Sequence, residues 1–158
     1  MFTRDEAKAF LTAEKLVNKL TDSSTRKSFN DAMFKIKAII RNSEKDYLEK
    51  LEEHIAVVED SNLPEVAANK LHLQAILSAL YSKEIISIGY TDIPGEKFTT
   101  RDIEPLEIFY LGRYWYLVAY CTLRNNYRHF RTDRNSFTTK SGNHFDTTHP
   151  DLKTFLKK

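Results

Sequence analysis

Arg124, Arg128, Arg131 and Arg134 recur at spacings of three and four residues, with Asp133 the one acid among them. Rings stand between them: Tyr127, His129 and Phe130. A guanidinium offers paired donors that match phosphate oxygens, and an aromatic face can stack on a base. The mixture therefore suits a nucleotide or a single strand of nucleic acid. The same residues could also be ordinary surface. An arginine on a small sheet is commonly solvated or paired with a neighbour such as Asp133, and strand tyrosines commonly pack with the hydroxyl at the edge.

Other constellations carry less. Cys121 is the single cysteine, which excludes an internal disulfide and leaves no cysteine pair for a zinc site. Cys121 and His129 could be a nucleophile and its base, yet Cys121 lies in an apolar run and reads as an inert buried thiol. His144, Asp146 and His149 are ligand-type side chains whose spacing suits neither one helix face nor a tight strand pair, so no metal is expected. Neither paired acids nor a base in reach of a nucleophile points to a hydrolase or nuclease. The expectation is a binding protein that is not an enzyme and takes no cofactor.

The elements that must position these residues divide the chain by texture. With 158 residues and 41% hydrophobic content it can bury the core of one ordinary domain or two small ones. Apolar runs such as Ala75-Ile76-Leu77 fall far short of the roughly 20 residues of a membrane span, and Asp5 and Glu6 stand where a secretory signal would be apolar. A cytoplasmic location without a membrane partner is expected. The net charge of +2 hides an asymmetry: residues 1–82 hold 12 Lys and Arg against 13 Asp and Glu, and residues 83–158 hold 12 against 9. The excess lies in the arginine cluster.

Thr3 and Glu6 make a capping box, and Phe10, Ala13, Val17 and Leu20 repeat at helical spacing, which predicts a helix over 4–20. Asp22-Ser23-Ser24 caps a second helix striped by Phe29, Met33, Ile36 and Ile40, antiparallel to the first. Ser43 and Asp46 start a short third helix through about Glu53, and residues 54–59 read as a brief strand. Asn62-Leu63-Pro64 starts a fourth helix, apolar on most sides from Leu71 to Tyr81. After Lys83 the pattern turns to short strands: Ile86, Ile88 and Tyr90 alternate, then segments 97–103, 106–110, 113–121 and 127–132 are separated by turns. A final helix could begin at Pro150. The second helix also carries Arg26, Lys27, Lys35, Lys37 and Arg41 against Asp31, which a solvated basic face explains better than contact with DNA.

The strand region resembles the WYL domain. The resemblance rests on Ile88 and Tyr90, Gly95, Ile103-Glu104-Pro105-Leu106, the triplet Trp115-Tyr116-Leu117 within residues 114–121, and Arg128-His129-Phe130-Arg131-Thr132-Asp133-Arg134. It covers residues 83–145. It implies an α+β chain with a helical segment over 1–82, a small Sm-like, SH3-type antiparallel β-barrel over 83–147, and the start of a C-terminal extension over 148–158. It also implies a winged helix-turn-helix in front of the barrel and a pocket for an anionic effector, single-stranded DNA or a nucleotide. Thr132 and Asn135 depart from the apolar residues usual in the family, which suggests a more exposed strand end.

Alternation puts Arg113, Trp115, Leu117, Ala119 and Cys121 on one strand face and Tyr114, Tyr116, Val118 and Tyr120 on the other. Tyr127, His129 and Arg131 likewise oppose Arg128, Phe130 and Thr132. The expected ligand-binding residues are Tyr90, Arg113, Tyr116, Arg128, Arg131 and Arg134, with Trp115 and Leu117 assigned to packing. The first two helices are long for a helix-turn-helix and no glycine marks their turn. The expected function is the effector-sensing part of a bacterial transcriptional regulator. An oligonucleotide or nucleotide would be its effector, DNA would be reached through a missing N-terminal domain, and a homodimer is the expected assembly. The alternative is a protein-protein dimerisation module without a small effector.

Overall fold

Helix α1 (Arg4–Leu20) begins at the capping box. Thr3 Oγ1 accepts the Glu6 amide at 3.2 Å, and the Glu6 carboxylate accepts the Thr3 amide at 2.7 Å. In α2 (Ser23–Ile39) the cap is Asp22, whose Oδ1 accepts the Thr25 amide at 2.8 Å. The structure, a computed structural model, describes residues 2–40, 42–58, 71–93, 95–151 and 153. The two helices are antiparallel, as the sequence predicts: Asn18 and Asn30 exchange amide hydrogen bonds of 3.0 Å, and Lys37 reaches Glu14. The expected stripe of α1 is only half-buried. Its core residues are Ala7 and Leu11, because α1 packs against both α2 and α3 (Asn42–Glu52), and the cluster closes with Ile40 and Leu48. Residues 55–58 form no strand. The amides of His54 and Ile55 bond the carbonyls of Leu51 and Glu52, closing α3 in turns. α3 already includes Ser43, whose side chain, like the helix start at residues 62–64 and most of the final helix, lies outside what the structure describes.

The chain divides into two compact units, Met1–Glu65 and Val66–Lys158. Helix α4 (Leu73–Ser82) belongs with the strands rather than with the first helices, so the expected boundary at 82/83 moves upstream. Ile76 and Ala79 are fully buried in one core with Ile86, Ile88, Ile103, Leu117, Ala119, Cys121 and Phe130. Each large aliphatic buried this way contributes about 2 kcal/mol.

The strands are β1 (Glu84–Tyr90), β2 (Thr99–Leu111), β3 (Tyr114–Cys121), β4 (Asn126–Arg131) and β5 (Asn135–His144). They form one antiparallel sheet in the order β4-β3-β2-β1-β5. The predicted gap between 103 and 106 is absent. β2 is continuous, with a register shift between Pro105 and Glu107, and it pairs with β1 through its first half and β3 through its second. Proline has no N–H to give the ladder, so a bulge is where it can sit. β5 was not expected from the sequence. β4 and β5 are the two edges, and the ladder does not close into a barrel. The sheet is nevertheless curled: Tyr90 of β1 meets Phe130 of β4 edge to face at 5.0 Å with two strands between them in the order. Among the described residues no helix is long and apolar enough to cross a membrane.

Candidate functional site

Register assigns each candidate side chain to a face. Leu117 lies between Ile108 and Phe130, and this line belongs to the core. One residue along, Phe109, Tyr116 and Arg131 are aligned on the opposite, outer face. Tyr116 stacks on Phe109 with centroids 5.1 Å apart, and His129 meets Phe109 edge-on at 5.8 Å. The Arg131 guanidinium lies 3.6 Å from the Tyr114 ring centroid, and Asp133 clamps it with bonds of 3.1 and 2.7 Å. That carboxylate raises the Arg131 pKa above its ordinary value.

A second cluster surrounds Tyr90, which is 3% exposed. Burial raises its phenol pKa. Its hydroxyl accepts the Arg131 amide at 3.1 Å. The Arg101 guanidinium, on a residue only 1% exposed, lies 5.5 Å from the Tyr90 ring centroid. Arg101 donates to Thr99 Oγ1 and to the Asp92 carboxylate, while Arg134 donates to the Asp92 carbonyl. Asn135, opposite Tyr90 on β5, is 1% exposed. Arg101 Nη1 and both polar atoms of the Asn135 amide are buried without a hydrogen bond. On the neighbouring helix end, His72 Nε2 bonds the Asn135 carbonyl.

The six expected residues therefore do not converge. Tyr90 and Arg134 share the inner cluster, while Tyr116 and the Arg131 side chain are on the outer face. Arg128 is exposed and shares the face of Phe130, opposite that of Arg131. Arg113 occupies the β2–β3 turn at φ +78°. Tyr90 is too enclosed to offer a stacking face, so its role in any site is to position neighbours. Thr132 and Asn135 are buried, not exposed as their departure from the family pattern suggested. A short 3-10 turn, Thr132–Arg134, folds that stretch inward, and Thr132 Oγ1 donates to the Trp115 carbonyl. Arg101 and Asn135 were missed. The signal for Arg101 was its place two residues before Ile103, on the core face of an extended segment.

The remaining constellations resolve structurally. Cys121 faces the core and His129 the outer side, so they cannot act as a pair. Among the described residues no three His, Cys, Asp or Glu gather as metal ligands. Lys27 pairs with Asp31, Lys37 with Glu14, and Arg26 donates to the Asn18 carbonyl, which ties these α2 cations into the helical unit. A cavity of about 420 Å³ along that hairpin is lined by Glu14, Lys15, Asn18, Lys37 and Glu52, and its charges are mutually paired.

The WYL domain family matches residues 71–135. The chain is 26% identical over 87 residues to a protein named PafB from Mycobacterium leprae (strain TN), a match covering 55% of this chain and 26% of that protein. It is 41% identical over 49 residues to YobV of Bacillus subtilis (strain 168), described as an HTH-type transcriptional regulator, covering 31% of this chain and 15% of that one. Among solved structures, proteasome accessory factor B/C (PafBC) of Arthrobacter aurescens aligns with 92% of this chain and 21% of its own, at 21% identity and a TM-score of 0.46. The matched part spans at most 26% of the length of these relatives.

Proposed function

Because this chain carries a WYL domain over residues 71–135, we propose that it is the effector-sensing part of a bacterial transcriptional regulator. The similarity to a regulator described as HTH-type supports this reading, with the DNA-reading part outside residues 1–158. The effector is anionic, a single-stranded nucleic acid or a nucleotide, and its binding modulates the affinity of that part for DNA. Such coupling needs an effector that favours one of two arrangements. The curl of the sheet supports the view that it works as an Sm-like barrel.

The observation that carries the anionic ligand is the charge imbalance around Tyr90. One acid, Asp92, faces two guanidiniums, Arg101 and Arg134, and Arg101 Nη1 and the Asn135 amide are buried without a hydrogen bond. A buried polar group left without a hydrogen bond costs about 1–3 kcal/mol, and an anionic oxygen accepting from Arg101 Nη1 and the Asn135 amide nitrogen would offset that cost. Arg131 and Tyr116 on the outer face, Arg113 at the β2–β3 turn and Arg128 on the opposite face would meet other parts of a ligand long enough to pass the sheet edge.

Fluorescence anisotropy with a labelled single strand of about ten nucleotides tests the reading. Arg134→Ala and Arg131→Ala should each weaken binding, and each should reduce the slope of log K against log salt by about 0.7. Absence of oligonucleotide and nucleotide binding at low salt would falsify it. Phe34 and Ile39 of α2, 78% and 64% exposed, support self-association through the helical unit. A stable dimer in sedimentation that ignores nucleotides would favour a pure dimerisation module instead.

A further inference from the structure

The residues after β5 form neither helix nor strand over 145–150, and Asp146, Thr147, Thr148 and Pro150 are exposed. Two side chains in this segment are not. Phe145 is 8% exposed, and its amide bonds the Lys83 carbonyl at 2.9 Å. The His149 side chain is 6% exposed and is held on every side. Its ring stacks on Tyr120 with centroids 5.7 Å apart and planes at 30°, and meets Tyr127 and Phe145 edge-on. Nε2 lies 2.7 Å from Glu104 Oε2, and Nδ1 lies 2.8 Å from the Tyr127 hydroxyl. A carboxylate only accepts, so Nε2–H donates to Glu104, and Nδ1 can accept from the phenol.

The walls of this slot belong to the sheet rather than to the segment. Glu104, Tyr120 and Tyr127 face one another across β2, β3 and β4. The backbone ladder thus sets a carboxylate, a stacking face and a hydroxyl whether or not His149 is there. This is the opposite face from the Tyr90 cluster. Unstructured segments usually anchor themselves with apolar side chains. Phe145 does so here, but the second anchor, His149, is a planar nitrogen ring, read at both polar edges and on one face.

We propose that this is a recognition slot for a planar nitrogen heterocycle, with a ring N–H toward Glu104 and a ring acceptor toward Tyr127, that His149 fills as a built-in occupant. A free ring of that class, such as a purine, displaces His149 and releases the segment from the sheet. The tether gives His149 an effective concentration in the millimolar range, so a competitor must gain contacts that imidazole lacks, and a larger stacking surface on Tyr120 supplies them.

Chemical replacement tests this on the full chain. His149→Ala should leave the sheet folded, and imidazole at roughly tens of millimolar should raise its Tm saturably, while the wild-type Tm stays unchanged. Adding Glu104→Gln to His149→Ala should abolish the imidazole effect. A folded His149→Ala chain that ignores imidazole overturns the slot. Should that variant not fold, the wild type decides: titrated with adenine, its His149 ring proton signals should move to solvent-exposed positions, and signals that stay fixed at saturation overturn displacement.

Discussion

The hydroxyl of Tyr90 on β1 accepts the backbone amide of Arg131 at the end of β4, 3.1 Å away, across the curl of the sheet. The bond ties together two strands that share no ladder. Tyr90→Phe keeps the ring against Phe130 and leaves the amide without this acceptor, which costs about 1–2 kcal/mol. Trp115 is the single tryptophan and lies on β3, so its fluorescence follows unfolding of the sheet. Denaturant titration read this way should show a lower midpoint with the same slope; an unchanged midpoint would show that the bond contributes nothing.

The same residue predicts a dependence on alkaline pH. Burial raises the Tyr90 pKa, so the folded chain resists losing the phenolic proton more than the unfolded chain does. Its stabilising contribution is complete below the ordinary tyrosine value of about 10 and is lost as pH climbs from there toward the folded value. As pH rises above about 10 the wild type should therefore lose more stability than Tyr90→Phe, which has no proton to lose. Parallel curves for the two proteins would remove the assignment.

Arg101 separates stability from recognition. Its side chain is enclosed, so Arg101→Ala leaves a cavity beside Tyr90 and Phe130 and should cost about 3 kcal/mol or more. Arg101→Met keeps most of the volume, and Asp92, 44% exposed, can regain water. The methionine variant should stay folded, with a far smaller loss of Tm than the alanine variant, yet bind the labelled oligonucleotide at least several-fold more weakly. Full affinity in a folded Arg101→Met chain would make Arg101 purely structural.

Legibility in the sequence followed the number of constraints on each residue. The start of α1 was readable because Thr3 and Glu6 form a local, reciprocal cap, and β1 because Ile86, Ile88 and Tyr90 are buried on alternate positions. β5 was not, because its residues 138–143 are polar or glycine and largely exposed, and only pairing with β1 makes them a strand. The break near Pro105 was a bulge, a choice that depends on β3 being alongside. At the candidate site, residue type pointed to Arg131 and Arg134 but not to the division between two faces, since the 3-10 turn that separates them is a tertiary event. His149 showed a ligand-like residue but not its partners, which lie 45 and 22 residues away.

Gly89 in β1 supports a different packing arrangement. A Cβ there would run into the rings of Phe137 and Phe98, which tilt toward each other with centroids 6.0 Å apart. Gly89→Ala should therefore destabilise the sheet unit by about 1–3 kcal/mol, tempered because Phe98 is half exposed and can swing outward. Combining Gly89→Ala with Phe137→Ala should cost less than the two single losses added together. Strict additivity in that double-mutant cycle would rule out the clash.

Asp133 competes with any ligand for Arg131. The pair is partly buried, with side chains 15% and 24% exposed, and both guanidinium bonds go to the one carboxylate while Tyr114 supports the other side. Asp133→Asn removes the charge but keeps the shape and one acceptor, so Arg131 stays over the ring with its positive charge no longer neutralised. Stability should fall modestly, by about 1 kcal/mol. Affinity for the labelled single strand at low salt should instead rise several-fold, because the guanidinium that meets the phosphate no longer shares its charge with a carboxylate. Asp133→Asn combined with Arg131→Ala should lose the gain. Weaker binding by Asp133→Asn alone, in a chain that remains folded, would mean that the carboxylate holds Arg131 in its working position rather than restraining it.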